Sequence, residues 1–325
     1  MAANEFAAIA QPKPPSSLSA LDLNPRGFLM EASQIPLDDS ARADEGASDD
    51  ATHEVAPDLA YLRLGIVNAA FIGLPNQSGW VLIDAGVPKM AGRIARAAQE
   101  RFGPDSKPAA IVLTHGHFDH VGSLLQLANL YDVPIYAHPV EFPYLNGQAA
   151  YPPPDPSVGG GMMARLSPMY PRDPIDVSRW LQPLPEDGSV PFLPGWQWIL
   201  VPGHTPGQIA LWRQSDRTLL PADAFITTNQ ESAYAVAKQE VEMHGPPMYF
   251  TQDWEAARDS VQRLAALEPE LVVTGHGQAM RGPRMLEALH ELARKFDEVA
   301  VPDHGRYVAA PARAIDGSAY DAPKK

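Results

Sequence analysis

The stretch that decides the fold of this chain is residues 110–122, AIVLTHGHFDHVG. The apolar run AIVLT predicts a short buried strand, and the apolar residues that follow Gly122 predict a helix. The polar side chains between them therefore project from a loop at the carboxyl end of a strand, where open α/β sheets bind their ligands. Three imidazoles and a carboxylate within six residues are costly to bury without partners. They are well suited to metal ligation, since imidazole binds zinc, iron or manganese.

Three further polar residues end predicted strands in the same way. His204 closes WQWILVPGH, Asp223 closes RTLLPAD and His276 closes ELVVTGH. Each one alone is typical of an ordinary hydrogen-bonded residue, but together with the first cluster they favour one shared site. Among the other histidines, His244 is a candidate for substrate contact because it lies in the loop after Asp223. The rest are interpreted as structural or surface residues, namely His53, His138, His290 and His304.

Outside these motifs, strand and helix patterns alternate along the chain. Residues 59–74 and 80–84 read as adjacent buried strands separated by a turn. Met90, Ile94, Ala98 and Phe102 share one face of a helix, which indicates that a helical layer covers the sheet. A later amphipathic helix is expected to begin at Thr251 as its N-cap residue. The pattern predicts a mixed α/β fold.

Residues 139–194 interrupt this alternation. They contain 13 prolines and the run GGG at 159–161, which is typical of an insertion or a lid. Since the segment separates the first cluster from His204, it is expected to lie over the site. Its large apolar side chains either line a substrate pocket or pack the insertion against the body of the domain; they are Met162, Met163, Tyr170 and Trp180.

The negative charge of the chain is concentrated near its start. Acids outnumber bases 39 to 25, a formal charge of −14, and residues 1–57 hold ten acids against three bases. That segment is rich in Ala, Ser, Pro and Asp with little apolar periodicity, so it is predicted to be a disordered tail. Residues 58–305 are then expected to form the catalytic domain, and residues 306–325 a C-terminal tail.

Composition also excludes several classes of protein. The chain has no cysteine, which excludes disulfides, thiolate nucleophiles and cysteine-ligated metal centres. No apolar run approaches the ~18 residues of a membrane span, and the start MAANEFAAIAQPKPP does not resemble a secretory signal. We therefore expect a soluble, cytoplasmic protein without a membrane partner. A nucleic-acid partner is not expected either, because an acidic surface repels phosphate backbones.

The polar motifs resemble, in order, those of a known superfamily. His115-Gly116-His117-Phe118-Asp119-His120 is similar to the HxHxDH signature of the metallo-β-lactamase superfamily. The later motifs are matched by Gly203-His204-Thr205-Pro206-Gly207, Ala222-Asp223 and Gly275-His276-Gly277, and the first motif by Asp84-Ala85-Gly86. The resemblance spans about residues 59–290 and implies an αββα sandwich, with two mixed sheets face to face and helices outside.

The resemblance also implies a set of metal ligands. It assigns His115, His117 and His204 to one metal. It assigns Asp119, His120 and His276 to a second, with Asp223 bridging the two. Zn²⁺ is the expected metal, although a site made of nitrogen and oxygen ligands also accepts iron or manganese. Asp84 is expected to support the ligand loop by hydrogen bonds.

Such a site implies a metal-dependent hydrolase. Two divalent ions that share a water supply hydroxide near neutral pH, and Asp119 is placed to orient this nucleophile or to pass on its proton. A small-molecule substrate with an ester-type bond, a lactone or a small ester, is the leading expectation. Tyr234 and Tyr249, in the loop after Asp223, are candidate oxyanion donors by analogy with lactonase relatives. The only argument for a homodimer is that C2 dimers are the commonest oligomers of soluble proteins.

Several alternatives remain at this point. A thioesterase of the glyoxalase II type usually adds a basic helical segment, whereas fewer than 50 residues follow His276 here. Secreted β-lactamases carry an export signal, and the related nucleases need a basic exosite or an extra domain. A mononuclear-iron oxidoreductase resembling persulfide dioxygenases would use mainly the first metal position. A non-catalytic metal-binding module is disfavoured because the ligand set is complete.

Overall fold

The computed structural model describes residues 34–43 and 52–323. The strands in these ranges are β1 (Ile35–Pro36), β2 (Thr52–Ala56), β3 (Leu59–Leu64), β4 (Val67–Ile72), β5 (Val81–Ile83), β6 (Ala110–Val112), β7 (Ile135–Ala137), β8 (Leu181–Pro183), β9 (Trp196–Leu200), β10 (Ile209–Arg213), β11 (Thr218–Ala222), β12 (Glu242–Met243), β13 (Leu271–Thr274) and β14 (Met280–Arg281). The α-helices are α1 (Ala91–Phe102), α2 (Phe118–Val121), α3 (Leu124–Tyr131), α4 (Phe142–Leu145), α5 (Met162–Leu166), α6 (Ala233–Lys238), α7 (Trp254–Ala265), α8 (Gly282–Val299) and α9 (Arg306–Ala309). Short 3-10 helices lie at Asp39–Ala41, Pro139–Glu141, Ser167–Met169 and Met248–Phe250.

The strands form two main sheets and one short pair. The first sheet has the order β2-β3-β4-β5-β6-β7-β8, antiparallel up to β5 and parallel from β5 to β8. The second has the order β14-β13-β11-β10-β9, in which only β11 and β13 run parallel. Strands β1 and β12 pair separately. Because the strands of both main sheets are largely apolar on both faces, each sheet must be covered on both sides.

The two sheets bury their inner faces against each other. Tyr61 and Ile83 of the first sheet belong to the same apolar cluster as Leu211 and Val273 of the second. Neighbouring residues on each strand point the other way, so Phe71 of β4 packs outward while Ile72 packs inward. The resulting packing is sheet on sheet, as in other β-sandwiches.

Helices cover the outer face of each sheet. Ile94 of α1 and Leu127 of α3 pack on the first sheet. Val261 of α7 and Leu289 of α8 pack on the second. Two sheets with helices on both outer sides form the αββα sandwich, which confirms the fold expected from the sequence. No helix in the described ranges is long and apolar enough to cross a membrane.

The start of the folded part differs from the expected boundary at residue 58. Ile35–Pro36 pairs with Met243 and Glu242, and Ala41 is fully buried in the outer helical layer of the second sheet. Thr52–Ala56 is the edge strand of the first sheet. The alternation of this strand, with His53 and Val55 inward, is too short to stand out within an acidic, polar segment. The disordered tail predicted over 1–33 and 44–51 lies outside the described residues.

The segment 139–194 is not a single insertion. Leu181–Pro183 completes the parallel half of the first sheet beside β7, and Trp180 packs under the outer helical layer. Of the two alternatives for Trp180, the structure shows packing against the body of the domain. The part that approaches the site runs from about residue 141 to residue 175. Its glycine run is explained by close packing, because a Cβ on Gly161 would lie 2.0 Å from the carbonyl oxygen of Glu231.

Helix α7 begins two residues later than the sequence indicated. The carboxylate of Asp253, rather than the hydroxyl of Thr251, caps the helix by accepting the backbone N–H of Ala256 at 3.1 Å. Aspartate serves this role as well as threonine does. Thr251 is fully buried and is used in the site described below.

Residues 306–323 are packed against the body and are not a tail. Ala319 is fully buried and its carbonyl accepts the hydroxyl of Tyr144 at 2.7 Å. The ring of Tyr307 is buried, and its hydroxyl donates to the carbonyl of Pro153. Polar and small residues dominate this segment, so it shows no apolar period along the sequence.

We expect Tyr307→Ala to lower the free energy of unfolding by about 3 kcal/mol, since it removes a buried aromatic ring. Denaturant titration of the metal-stripped protein measures the change without a contribution from bound metal. Ile315→Ala is the control, because Ile315 is 95% exposed and its loss should change the free energy by less than about 0.5 kcal/mol. Equal values for the two variants would contradict a structural role for this segment.

Candidate metal centre

The loop after β6, which carries His115 and His117, is held by Asp84, the residue directly after β5. Asp84 accepts the backbone N–H of Thr114 at 2.8 Å and the hydroxyl of Thr114 at 2.7 Å. Oδ2 of Asp84, the oxygen that accepts the hydroxyl of Thr114, also lies 2.8 Å from Nδ1 of His120. Asp84 has a left-handed backbone with φ of 61°, a conformation that aspartate tolerates better than most residues. These contacts give it the supporting role expected from the sequence.

A first group of three imidazoles converges within this loop and the loop after β9. Nε2 of His115 lies 3.1 Å from Nδ1 of His117, which lies 2.9 Å from Nε2 of His204. All three side chains are buried. Burial lowers the pKa of each of them, that of His204 to about 3, and neighbouring imidazoles add to the effect. The rings are therefore neutral and offer lone pairs to a cation.

A second group combines Asp119, His120 and His276. Their ligand atoms lie within 4.8 Å of one another, and Oδ2 of Asp119 is 3.6 Å from Nε2 of His276. Burial raises the pKa of Asp119, against the effect of the two imidazoles. Burial alone would lower the pKa of His120 and His276, but the nearby carboxylates raise both. The second group thus contributes a carboxylate, whereas the first group consists of imidazoles alone.

Asp223 lies between the two groups. One oxygen, Oδ2, is 2.9 Å from Nε2 of His276, 3.5 Å from Nε2 of His120 and 3.4 Å from Nε2 of His204. Despite its burial, the charges of His276 and His120 hold the pKa of Asp223 well below its usual range. The preceding residue, Ala222, has φ of 52°, which turns the chain sharply at the end of β11. One carboxylate is thus shared by both groups.

The hydrogen bonds around the rings fit a metal centre. Nδ1 of His204 bonds to the Thr251 hydroxyl at 3.3 Å, and Nδ1 of His276 to the Ile66 carbonyl at 2.5 Å. Since that carbonyl can only accept, His276 is protonated at Nδ1 and keeps Nε2 facing Asp223. Metal-bound histidines commonly bond through their second ring nitrogen in this way.

Unpartnered atoms support the same conclusion. Nε2 of His120 and Oδ1 of Asp223 are buried and have no hydrogen-bond partner among the described residues. Buried polar atoms of this kind are costly unless water or an ion satisfies them. The donor set of nitrogen and carboxylate oxygen is one that divalent zinc, iron or manganese accepts. The residues present therefore fit two divalent cations.

Aromatic rings line one side of the centre. The ring of Phe250 lies 4.7 Å from that of His117, and Tyr170 lies 5.4 Å from Phe118 and 6.1 Å from Tyr249. We call Phe118, Tyr170, Tyr249 and Phe250 the aromatic wall. Burial raises the pKa of Tyr249 well above its usual value, and the charges of Glu231 and Asp119 add to this. The four rings thus pack together as one cluster beside His117.

A family model for the metallo-beta-lactamase superfamily matches residues 62–276, from β3 to His276, the last of the seven ligands expected from the sequence. The chain belongs to the metallo-beta-lactamase superfamily. It is 48% identical over 247 residues to "Probable metallo-hydrolase YflN" of Bacillus subtilis, covering 76% of this chain and 94% of that relative. Among solved structures, a beta-lactamase domain protein from Burkholderia ambifaria is 19% identical over 79% of both chains, with a TM-score of 0.54, and supports the fold alone.

In this superfamily member, the seven ligands expected from the sequence lie together, although their positions span 162 residues from the first to the last. They are His115, His117, Asp119, His120, His204, Asp223 and His276. Their assignment to individual metals stays a prediction. Other candidates are placed differently. Tyr234 is 51% exposed and Met162 is 58% exposed, whereas His244 is buried 3.3 Å from Glu231.

Sequence reasoning missed several residues that build the centre. Phe250 and Tyr151 pack against His117 with tilted rings, and the hydroxyl of Thr251 bonds to His204. Glu141 is buried between the two loops that carry the first group. None of these residues carries a motif of its own, because a lone aromatic, threonine or glutamate has no periodic or spacing signal.

Proposed function

We propose that this protein is a metal-dependent hydrolase that uses two divalent ions, zinc being the expected metal, to cleave an ester-type bond in a small molecule. The observation that carries the proposal is the single oxygen of Asp223 within 3.5 Å of histidines from both ligand groups. Two ions held by these groups would lower the pKa of a shared water and supply hydroxide near neutral pH. A lactone or a small carboxylic ester is the substrate class that we favour.

Asp119 is the residue that we propose handles the proton. It is buried, and its Oδ2 lies 3.6 Å from Nε2 of His276 within the second group. In ester cleavage the attacking water loses a proton and the leaving oxygen gains one. A carboxyl at this place is suited to transfer one proton between these two positions.

The aromatic wall supports the choice of a neutral, apolar substrate. Phe118, Tyr170 and Phe250 offer ring surfaces to an acyl chain or an aromatic leaving group. Tyr170 comes from the segment between the first cluster and His204, so this segment would supply substrate contacts as well as packing. The hydroxyl of Tyr249 is a proposed donor to the substrate carbonyl, while the exposure of Tyr234 makes that residue a weaker candidate.

The proposal is tested by metal analysis together with a hydrolysis panel. Two metals per chain and turnover of lactones or esters that is lost with a chelator and restored with metal are expected. Faster turnover of thioesters would favour a thioesterase instead. One iron per chain with oxygen consumption on a thiol substrate would favour the oxidoreductase. A folded protein that binds no divalent metal contradicts the proposal altogether.

Asp119→Asn is expected to lower kcat by about 100-fold, because proton transfer by a positioned side chain contributes at least this much. Asp119 is also one of the three residues of the second group, so any loss of metal is measured separately from the loss of proton transfer. Steady-state kinetics and elemental analysis of the same preparation separate the two effects. Full activity at unchanged metal content would show that Asp119 handles no proton.

A further inference from the structure

Glu141 is a buried carboxylate that none of the preceding steps uses. It ends the 3-10 helix Pro139–Glu141 and is 1% exposed. Its side chain reaches between the loop of His115 and His117 and the loop of His204. Among the described residues, four hydrogen-bond donors surround its two oxygens, two on each.

The donors come from both ligand loops. Oε2 accepts the backbone N–H of Gly116 at 3.0 Å and the hydroxyl of Tyr151. Oε1 accepts the hydroxyl of Thr205 at 2.9 Å and the backbone N–H of Gly207 at 2.8 Å. Gly116 separates two ligands of the first group, and Thr205 directly follows the third. One side chain thus joins the backbones that carry all three ligands of that group.

The surrounding chain is shaped to admit this carboxylate. A Cβ on Gly207 would lie 2.8 Å from both Cγ and Oε1 of Glu141, so a larger residue there would push the side chain away. Backbone N–H groups can only donate, so each oxygen of Glu141 must accept at least one bond. Burial raises the pKa of Glu141, and its hydrogen bonds act in the opposite direction.

The second ligand group is held by other contacts. Asp84 orients His120 through Nδ1 at 2.8 Å, and the carbonyl of Ile66 orients His276 through Nδ1 at 2.5 Å. Neither contact involves Glu141 or the loop of residues 203–207. A change at Glu141 should therefore reach the first group and leave the second largely unchanged.

We propose that Glu141 is a positioning residue that holds the two loops of the first ligand group in the geometry required for metal binding, and so sets the metal affinity of that group selectively. This inference rests on the proposed metal-dependent function. Its test measures metal binding without substrate, so a wrong choice of substrate class would not affect it.

The decisive variant is Glu141→Gln. A carboxamide keeps the size of the side chain but replaces one of the two acceptor oxygens by an NH₂ group. That NH₂ donor would then face the two donors that the oxygen accepted before. Loss of a partner that orients metal ligands typically lowers metal affinity by about 10- to 100-fold. We expect a loss of this size at the first group and a change below about twofold at the second.

Two backgrounds isolate the groups. His276→Ala leaves the first group complete, and His204→Ala leaves the second complete. Co²⁺ is titrated into the metal-stripped proteins against a chromophoric chelator, and the visible absorption of bound Co²⁺ reports ligand geometry. Glu141→Gln should weaken binding and alter the spectrum in the His276→Ala background only. Glu186→Gln is the control, because Glu186 is exposed in the same stretch of chain.

Unchanged affinity of the first group, or an equal loss in both backgrounds, overturns the proposal. If Glu141→Gln does not fold, the pair Thr205→Val and Thr205→Ser decides instead, because only serine keeps the hydroxyl that Glu141 accepts. Weaker binding at the first group with valine and near-normal binding with serine supports the proposal. Equal affinities for the two variants overturn it.

Discussion

Asp223→Asn should reduce kcat about 10,000-fold, the largest effect of any single substitution considered for this protein. One oxygen of the carboxylate lies within 3.5 Å of His120, His204 and His276, so we expect Asp223 to be the ligand that both groups share. An amide is uncharged and, at the nitrogen, donates rather than accepts. A 10,000-fold loss corresponds to about 5.4 kcal/mol of transition-state stabilisation, a reasonable size for the disruption of a two-metal clamp.

The measurement combines ester hydrolysis with metal content after dialysis against a weak chelator. Loss of one metal or both is expected together with the loss of activity, since removal of the shared ligand weakens both groups. Asp105→Asn is the matched control, because Asp105 is exposed and lies outside the site. A variant that retained two metals and at least a tenth of the activity would show that Asp223 does not bridge the groups.

Gly275→Ala should lower kcat about 1,000-fold through the same carboxylate, although it removes no ligand. A Cβ at this position would lie 2.0 Å from Oδ1 of Asp223 and 3.0 Å from Cε1 of His120. Gly275 does not have a positive φ, so alanine fits its backbone and the clash with the side chains is the main cost. A displacement of about 1 Å in an active site can cost 100-fold, and here it affects both ligand groups.

Gly92→Ala provides the matched control for this substitution. Gly92 lies on the exposed side of α1 with no atom within 4 Å of an added Cβ, and alanine there should stabilise the helix by up to about 1 kcal/mol. Activity, metal content and melting temperature are compared for both variants. Wild-type kinetics for Gly275→Ala would mean that Asp223 can move without loss, which contradicts a fixed bridging position.

The two substitutions together distinguish charge from geometry. Asp223→Asn alters the charge at a fixed position, whereas Gly275→Ala leaves the charge and alters the position. If the second variant binds both metals but turns over slowly, the alignment of the ligands limits catalysis. If it loses metal as the first variant does, the distance between the carboxylate and the histidines decides whether the centre forms.

Local patterns were sufficient for the main features of the fold. The buried run of β6 predicted a strand and the apolar residues after Gly122 predicted a helix, and both are present. The polar stretch between them is a loop only as far as His117, because Asp119 and His120 lie in the short helix α2. The strands that precede His204, Asp223 and His276 are β9, β11 and β13, and all three belong to the second sheet. Such features were predictable because burial on both faces of a strand requires contiguous apolar residues, which are visible within a few positions.

The errors occurred where the signal is short or polar. Thr52–Ala56 joins the first sheet as an edge strand, and an edge strand needs fewer apolar residues than a central one. Residues 306–323 are held by backbone and tyrosine hydrogen bonds that leave no periodic pattern. For Trp180 the sequence left a substrate pocket and packing as alternatives, and the structure shows packing against the first core cluster.

The sequence alone determined which residues have the chemistry to bind metal and which strand ends carry them, because residue type and hydrophobic pattern are local properties. The tertiary structure decided which atoms meet, since Asp223 reaches His120 across about a hundred positions of the chain. It also decided the roles of Glu141 and Gly275. Those roles depend on hydrogen bonds and packing between distant segments, and no local pattern in the sequence encodes such contacts.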